Sequence, residues 1–280
     1  MVLLTTEQYT YIDDSIKRAA REANIARKLM PTFGPVGFEV EVIKNYTAAE
    51  IAGGRIDLAW GNFSEDLPVL TAHNVNIPVL SRGFRIPRRA LEASRRNGTP
   101  LDTHLVDTAS NVVTQKENAL ILQGWAKDGT NYDINGLFQG AGNSATGADM
   151  STATNIPLVV FEAMGLLIGD NINPPYNMVL NPVQYAETFA LIANTSMTYN
   201  EWIRKTIQGE VYSHTAIPAS DGLMLATSNP AYFDLTIGID ITSDTEEMGL
   251  EDGRDLFGVV YECVVPRIHD STAICKIGST

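Results

Sequence analysis

The stretch from Ile77 to Gly124 constrains the fold of this chain more than any other. An extended segment, Ile77-Pro-Val-Leu-Ser81, leads into a basic amphipathic helix from Pro87 to Arg96. A turn at Asn97-Gly-Thr-Pro100 follows, and then a long helix. Asp102 is the expected cap, and Leu105, Ala109, Val112, Val113, Ala119 and Leu120 share an apolar face. About twenty helical residues make a rod of roughly 30 Å. A rod of that length is a spine, and the rest of the chain must be arranged around it. It closes on Glu117-Asn118-Ala-Leu-Ile-Leu-Gln-Gly124, with Gly136-Leu137 beyond.

Before the spine the pattern is different. An N-terminal helix can open on the capping box Thr5-x-x-Gln8, and Tyr9, Ile12, Ile16, Ala19, Ala20, Ala23 and Ile25 recur at helical spacing. Arg27-Lys28 suit the negative pole of its dipole, and Pro31 and Gly34-Pro35 stop it. Phe38-Glu-Val-Glu-Val42 then alternates like a strand. Between it and Ile77 lies a long excursion containing Tyr46, Gly53-Gly54, Ile56-Asp-Leu-Ala-Trp60 and Asp66-Leu-Pro68. It holds too few apolar residues for a core of its own, so an extended two-stranded arm is expected. Such a ribbon is rarely stable alone and needs a surface outside itself.

After the spine, Gly140 to Asp149 is rich in small residues and reads as a loop. Leu158 to Ile168 is expected to be a buried helix, Tyr176 to Leu180 a strand, and Pro182 to Ala193 and Asn200 to Ile207 helices. Leu223-Met-Leu-Ala226 and Phe233-Asp-Leu-Thr-Ile237 are expected to complete one mixed sheet. Leu256 to Val265 and Ala273 to Ile277 read as a closing strand pair, separated by Pro266 and the His269-Asp270 turn.

Chemistry is hard to find in these residues. Gly140-x-Gly142 with Gly147 has neither dinucleotide nor P-loop spacing. His73, His104, His214 and His269 are scattered, with no partner at metal-ligand spacing. Cys263 and Cys275 form no CxxC and are expected to be buried free thiols. The acidic run Asp244 to Asp255 lacks the order of an EF-hand loop. No Gly-x-Ser-x-Gly elbow occurs. The expectation is therefore no catalysis, no cofactor and no metal. A net charge of −13 argues against a dedicated nucleic-acid reader, and no apolar run is long enough for a membrane span. At 280 residues the chain can bury roughly three quarters of its unfolded surface, so one large domain or two small ones fit.

The charge is uneven. Arg82, Arg85, Arg88, Arg89, Arg95 and Arg96 crowd one stretch, while Asp240, Asp244, Glu246, Glu247, Glu251, Asp252 and Asp255 crowd another. The arginines cannot all share one narrow helical face, so a solvated basic helix is the plain reading. The sharper reading pairs Arg85, Arg88, Arg89, Arg95 and Arg96 with acids on another copy of the chain. Glu65 and Asp66 of the arm are then the natural complement, because arginine favours bidentate interface pairs.

The order of parts resembles the Hong Kong 97-type major capsid fold, shared by tailed viruses and encapsulins. Three places carry the resemblance: Arg27 to Gly37, Ala93 to Asp102 with Glu117-Asn118 and Gly124, and Tyr261 through Cys275. It implies an α+β fold with an N-terminal helix and arm (1–37), an E-loop (38–79), a P-domain with spine helix (80–155), an A-domain (156–240) and a return to the P-domain (241–280). It implies a structural shell protein that assembles with itself into pentamers and hexamers. The Gly53-Gly54 to Pro68 arm and the Glu117 to Leu137 run look more like the viral branch. On that weighting the first expectation is the capsid of a tailed virus, in a virion assembled in host cytoplasm. It would enclose double-stranded DNA without reading its sequence, with portal, scaffold or decoration proteins as further partners. The alternative is a cytoplasmic encapsulin shell around a cargo enzyme, which Gly34-Pro35-Val-Gly37 and Ala273-Ile-Cys275 favour. A soluble α/β enzyme with its site in 156–240 is the alternative of another class.

Overall fold

The computed structural model describes residue 10 and residues 12–18, 24–48, 70–97, 104–129, 133–147, 150, 152–227, 229–246 and 255–278. Two sheets organise them. The first is four-stranded, in the order β1 (Thr32–Phe33), β11 (Phe233–Glu246), β12 (Leu256–Ile268), β4 (Val79–Ile86). The strands are antiparallel except for β1, which runs parallel to β11. The second is five-stranded and mixed, in the order β7 (Asn143–Ala145), β13 (Ile274–Ile277), β10 (Gly222–Ala226), β8 (Tyr176–Leu180), β9 (Val211–Ser213).

Burial along the strands explains this division. β8 and β10 are buried at every position, as expected of strands covered on both faces. Helix α4 (Ile156–Gly169) packs against β7 and β13, and α6 (Tyr199–Ile207) packs against α4 and β9, with α5 (Pro182–Glu187) also near β9. β12 behaves differently along its length. Leu256, Gly258 and Val260 are buried while Phe257 and Val259 are exposed, and from Glu262 to Arg267 every residue is buried. Its first half therefore has one covered and one bare face, and its second half passes through the interior.

The spine is realised as α3 (His104–Leu122), lying on β4 and β12. A helix over residues 12–18, here α1, packs there too. Its Ile12 and Ile16 join Phe84, Val106, Ala109, Val113 and Val260 in a separate apolar cluster. The basic helix α2 (Arg88–Asn97) follows β4 as anticipated. At the end of α3, the strands β5 (Gly124–Trp125) and β6 (Ile134–Asn135) pair closely. A Cβ on Gly136 would lie 2.3 Å from the Gly124 nitrogen, and one on Gly124 would lie 2.2 Å from the Ile134 oxygen. With Gly124 at φ +94°, both positions require glycine.

Several expectations need correction. The strand expected at Phe38 begins at Val42, as β2 (Val42–Ala48), because residues 36–37 bond instead to the β11 backbone at Ile237 and Gly238. The small-residue loop contains β7, which pairs parallel with Cys275 to Ile277. Leu105 is exposed, and the buried face of α3 runs through Val106, Ser110, Val113, Glu117 and Ile121. Helix α5 stops at Glu187, short of Ala193. Helix α4 is not buried all round, since Leu158 and Phe161 are 63% and 57% exposed. Phe233 to Ile237 and Leu223 to Ala226 lie in different sheets, as do Cys263 and Cys275. Pro266 sits inside β12 rather than ending it. Leu235, opposite it, donates its N–H to Pro31, away from β12, and the pairing with β4 ends at Cys263, so no ladder bond is lost at Pro266. The capping box at Thr5 and the cap at Asp102 lie outside the described residues.

Candidate assembly surfaces

The arm exists as a two-stranded ribbon, β2 paired with β3 (Leu70–Asn76) in unbroken register from Val42↔Asn76 to Ala48↔Leu70. Its base, however, rests on its own subunit. Asn45 donates to the Ile268 carbonyl at 2.8 Å, and its Oδ1 lies 2.7 Å from His269 Nδ1. His269 Nε2 is 3.1 Å from Asp234, which also accepts a bidentate pair from Arg267 at 2.8 and 2.6 Å. The Arg267 guanidinium lies over the Phe33 ring. Ile43 and Val75 pack against the main core. Further out, Tyr46 and Leu70 are exposed, as is Val42 at the near end of the ribbon.

A second polar cluster fastens the N-terminal segment to the spine and the four-stranded sheet. Arg27 Nε donates to Glu117 of α3 at 2.6 Å, one Nη to Asp240 of β11 at 2.7 Å and the other to Glu262 of β12 at 3.1 Å. Asn24 donates to the second Glu117 oxygen at 2.5 Å, and Asn118 accepts the backbone N–H groups of Ile25 and Ala26. Burial opposes the charge on Arg27, but Glu117 and Asp240 outweigh it and raise its pKa. Burial also pushes the Glu117 carboxyl up, only partly offset by Arg27. Burial, with Glu117 beside it, lifts Glu262 to about 9.

The third feature is an open apolar groove of about 950 Å³ on the bare face of the four-stranded sheet. Val79 and Gly83 of β4, Phe257, Val259 and Tyr261 of β12, and Phe38 line it. Phe38 and Tyr261 meet edge to face with centroids 6.2 Å apart. The groove ends at Arg85, which lies over Phe257 and pairs with Asp255 at 2.5 and 2.6 Å. The other Asp255 oxygen accepts the Arg88 N–H at 2.9 Å, so a residue far along the chain caps the start of α2. That bond, then the Arg85 pair, hold the Asp255 carboxyl below the usual carboxylate range. A groove so poor in polar groups suits docking of protein and offers no aligned set for catalysis.

The sequence-expected contact residues are distributed as follows. Arg85 is paired within its own subunit, and Arg88 pairs with Glu92 one turn along α2 at 2.7 Å. Arg89 and Arg96 are exposed on the same helix. The Arg95 side chain, Glu65 and Asp66 lie outside the described residues. Sequence reasoning missed Asp255, the Asp234–Arg267–His269 set and the role of Arg27. One signal was available for the last: Glu117 falls four residues after Val113 on the buried stripe of α3 and so had to be partnered. Both cysteines are buried and free as anticipated, and burial pushes the Cys275 thiol to about 12, leaving it inert. Among the described residues no group of three or more His, Cys, Asp or Glu is placed to hold a metal ion, and no helix is long and apolar enough to cross a membrane.

A family model described as "Encapsulating protein for peroxidase" matches residues 3–247. The type 1 encapsulin shell protein EncA of Myxococcus xanthus is 24% identical over 276 residues, which cover 98% of this chain and 93% of that protein. A diheme-cytochrome-encapsulin shell fusion protein of Kuenenia stuttgartiensis is also 24% identical, over 98% of this chain and 73% of the relative. Among solved structures, the virus-like particle from Pyrococcus furiosus superposes with a TM-score of 0.69 at 16% identity, over 97% of this chain and all of that one. The capsid of Myoviridae phage XM1 superposes at 0.67 and 11% identity, over 92% of each chain. These likenesses establish the Hong Kong 97-type α+β fold. The chain belongs to the family of encapsulating proteins for peroxidase, whose members are structural shell proteins and not enzymes.

Proposed function

We propose that this chain is the shell subunit of an encapsulin-type compartment, with copies tiling a closed protein shell around a cargo enzyme in the cytoplasm. The observation that carries this reading is the family match across residues 3–247, together with alignment of 98% of the chain to an encapsulin shell protein. It reverses the weighting that the arm and the Glu117 to Leu137 run suggested. The family description makes a peroxidase the first cargo to try.

In this reading residues 38–79 act as the E-loop, 80–155 and 241–280 as the P-domain, 156–240 as the A-domain and 1–37 as the N-terminal helix and arm. The exposed outer part of the ribbon lies across the bare groove of a neighbouring copy. The apolar α4 face, with Leu158 and Phe161, turns toward other copies. Arg89, Arg95 and Arg96, with Arg85 and Arg88, face Glu65 and Asp66 of a neighbour, as the charge pattern suggests. Many modest interfaces then add up through multivalency.

Expression of the chain alone, followed by electron microscopy, tests the reading: closed particles are expected. A stable monomer at high concentration under all conditions would overturn it. A second reading, a tailed-virus capsid, draws support from the superposition on the phage XM1 capsid. Particles taken from the native source separate the two. Nuclease-protected DNA, with portal, scaffold or decoration proteins, marks the virus, and a co-purifying enzyme marks the compartment. Replacing residues 49–69 by a short Gly/Ser link should leave a folded subunit that forms no closed particles.

A further inference from the structure

The Arg27 cluster carries more negative charge than it can hold in a buried site. Glu117 is 1% exposed and Glu262 fully buried, yet they share one guanidinium, which also serves Asp240. Asn24 satisfies the second Glu117 oxygen, but Glu262 Oε1 is buried with no hydrogen-bond partner. An ionised carboxylate with an orphaned oxygen in such a site is far more costly than the neutral acid. Two buried carboxyls beside one cation resolve this by keeping one proton.

We propose that Glu117 and Glu262, sharing the Arg27 guanidinium, form a proton-dependent latch that holds residues 24–30 on the spine helix and the four-stranded sheet. With one proton present the segment is clamped. When both carboxyls ionise, three carboxylates face one guanidinium, and the segment is released so that water can reach Glu262. The groups facing the latch come from four elements. The N-terminal segment supplies Asn24 and Arg27, α3 supplies Glu117 and Asn118, β11 supplies Asp240, and β12 supplies Glu262 with Cys263 next to it. Of these, Asp240 is 66% exposed and so adds only a screened charge.

The direction of the pH response follows from the proton. The Glu262 carboxyl is raised in the folded protein, to about 9. The folded state therefore binds a proton that the unfolded chain has already lost, and stability falls as pH rises. The contribution is complete below the ordinary glutamate range and gone once pH passes about 9. The latch thus opens in alkali and stays shut in mild acid.

Hydrogen exchange read by mass spectrometry on the assembled full-length protein tests the latch, because small solvent reaches the segment whichever face it lies on. Wild type is compared with Glu262→Gln, whose amide stands in for the neutral acid, so that intrinsic exchange rates cancel at each pH. At pH about 7 the peptide covering residues 24–30 should exchange equally in both. At pH about 10, one unit above the midpoint, wild type should exchange about tenfold faster than the variant. Equal protection at the higher pH would overturn the latch. If Glu262→Gln does not fold, infrared titration of wild type decides alone. A buried protonated-carboxyl band lost with a midpoint near 9 supports the latch, and its absence at pH about 7 refutes it.

Discussion

The two sheets are held by different physics. The five-stranded sheet is dry: β8 and β10 are buried throughout, and Tyr176, Met178, Leu180, Leu223 and Leu225 are fully enclosed. The four-stranded sheet is clamped at its buried end by charge, through Arg27 and Arg267, and left bare along one face of β4 and β12. The strands of the five-stranded sheet are enclosed within the subunit, whereas the four-stranded sheet closes one end with ion pairs and keeps an apolar face open. In the proposed shell that open face is one place where a neighbour docks.

The strongest way to break this comparison is to remove the charge clamp. Arg27→Met keeps the aliphatic stem but leaves Glu117 and Glu262 without their cation. Losing one partner of a buried pair costs about 3–5 kcal/mol. Denaturant unfolding at neutral pH should show that loss, and mild acid should restore part of it as the carboxyl that is still ionised takes up a proton. An unchanged midpoint would show that the four-stranded side is held by packing after all.

Next comes the dry side. Leu225→Ala in β10 opens a cavity among fully buried neighbours, at about 2–5 kcal/mol. The loss should be independent of pH between mild acid and mild alkali, unlike that of Arg27→Met. A pH-dependent loss here would erase the contrast between the sheets.

The bare face gives a smaller effect on the subunit and a larger one on assembly. Phe257→Ser with Val259→Ser changes residues that are already about 39% and 38% exposed. Subunit stability should fall by about 1 kcal/mol per site, less than for a fully buried side chain, while the yield of closed particles falls sharply. Light scattering and microscopy read the yield, and normal particles from the double variant would detach the groove from assembly.

Much of this contrast was legible in the sequence, and what was not has physical causes. Helical periodicity exposed α2, α3, α4 and α6, and continuous apolar runs exposed β8 and β10, because burial writes itself into local pattern. Sheet membership was not local. Phe233 and Leu223 have similar neighbours in the chain, but pairing with β12 in one case and with β8 and β13 in the other separates them. β7 was missed because Asn143-Ser-Ala145 is short and carries no apolar alternation to mark it as a strand. Leu105 was misplaced by the phase of a helix whose buried stripe includes Ser110, Thr114 and Glu117. The clamps were hidden for the same reason in stronger form, since Arg27 and Glu262 are 235 residues apart. The arginine cluster was visible, but the partner of Arg85 within its subunit, Asp255, was not. The choice between the viral and encapsulin branches rested on segments too short to weigh against likeness over the whole chain.

The smallest effect belongs to Asp255, where the bare face meets α2. Its carboxylate caps Arg88 and pairs with Arg85 in a solvent-exposed setting. Asp255→Asn keeps an oxygen to accept the Arg88 N–H but removes the charge that draws Arg85. Its carboxyl titrates below the usual range because of the Arg88 N–H and then Arg85. The stability it contributes is therefore present above the ordinary aspartate range and is lost as pH falls through the lowered value. The melting temperature of the variant should sit slightly below wild type at neutral pH. The gap should close in acid and shrink with added salt. A gap that persists in acid would mean that the carboxylate matters for its shape and not its charge. Arg85 would then need another acid to explain its place over Phe257. Measured on closed particles as well as on subunits, the same variant tests whether the freed Arg85 reaches an acid on a neighbour. In that case the loss in particles is smaller than the loss in subunits.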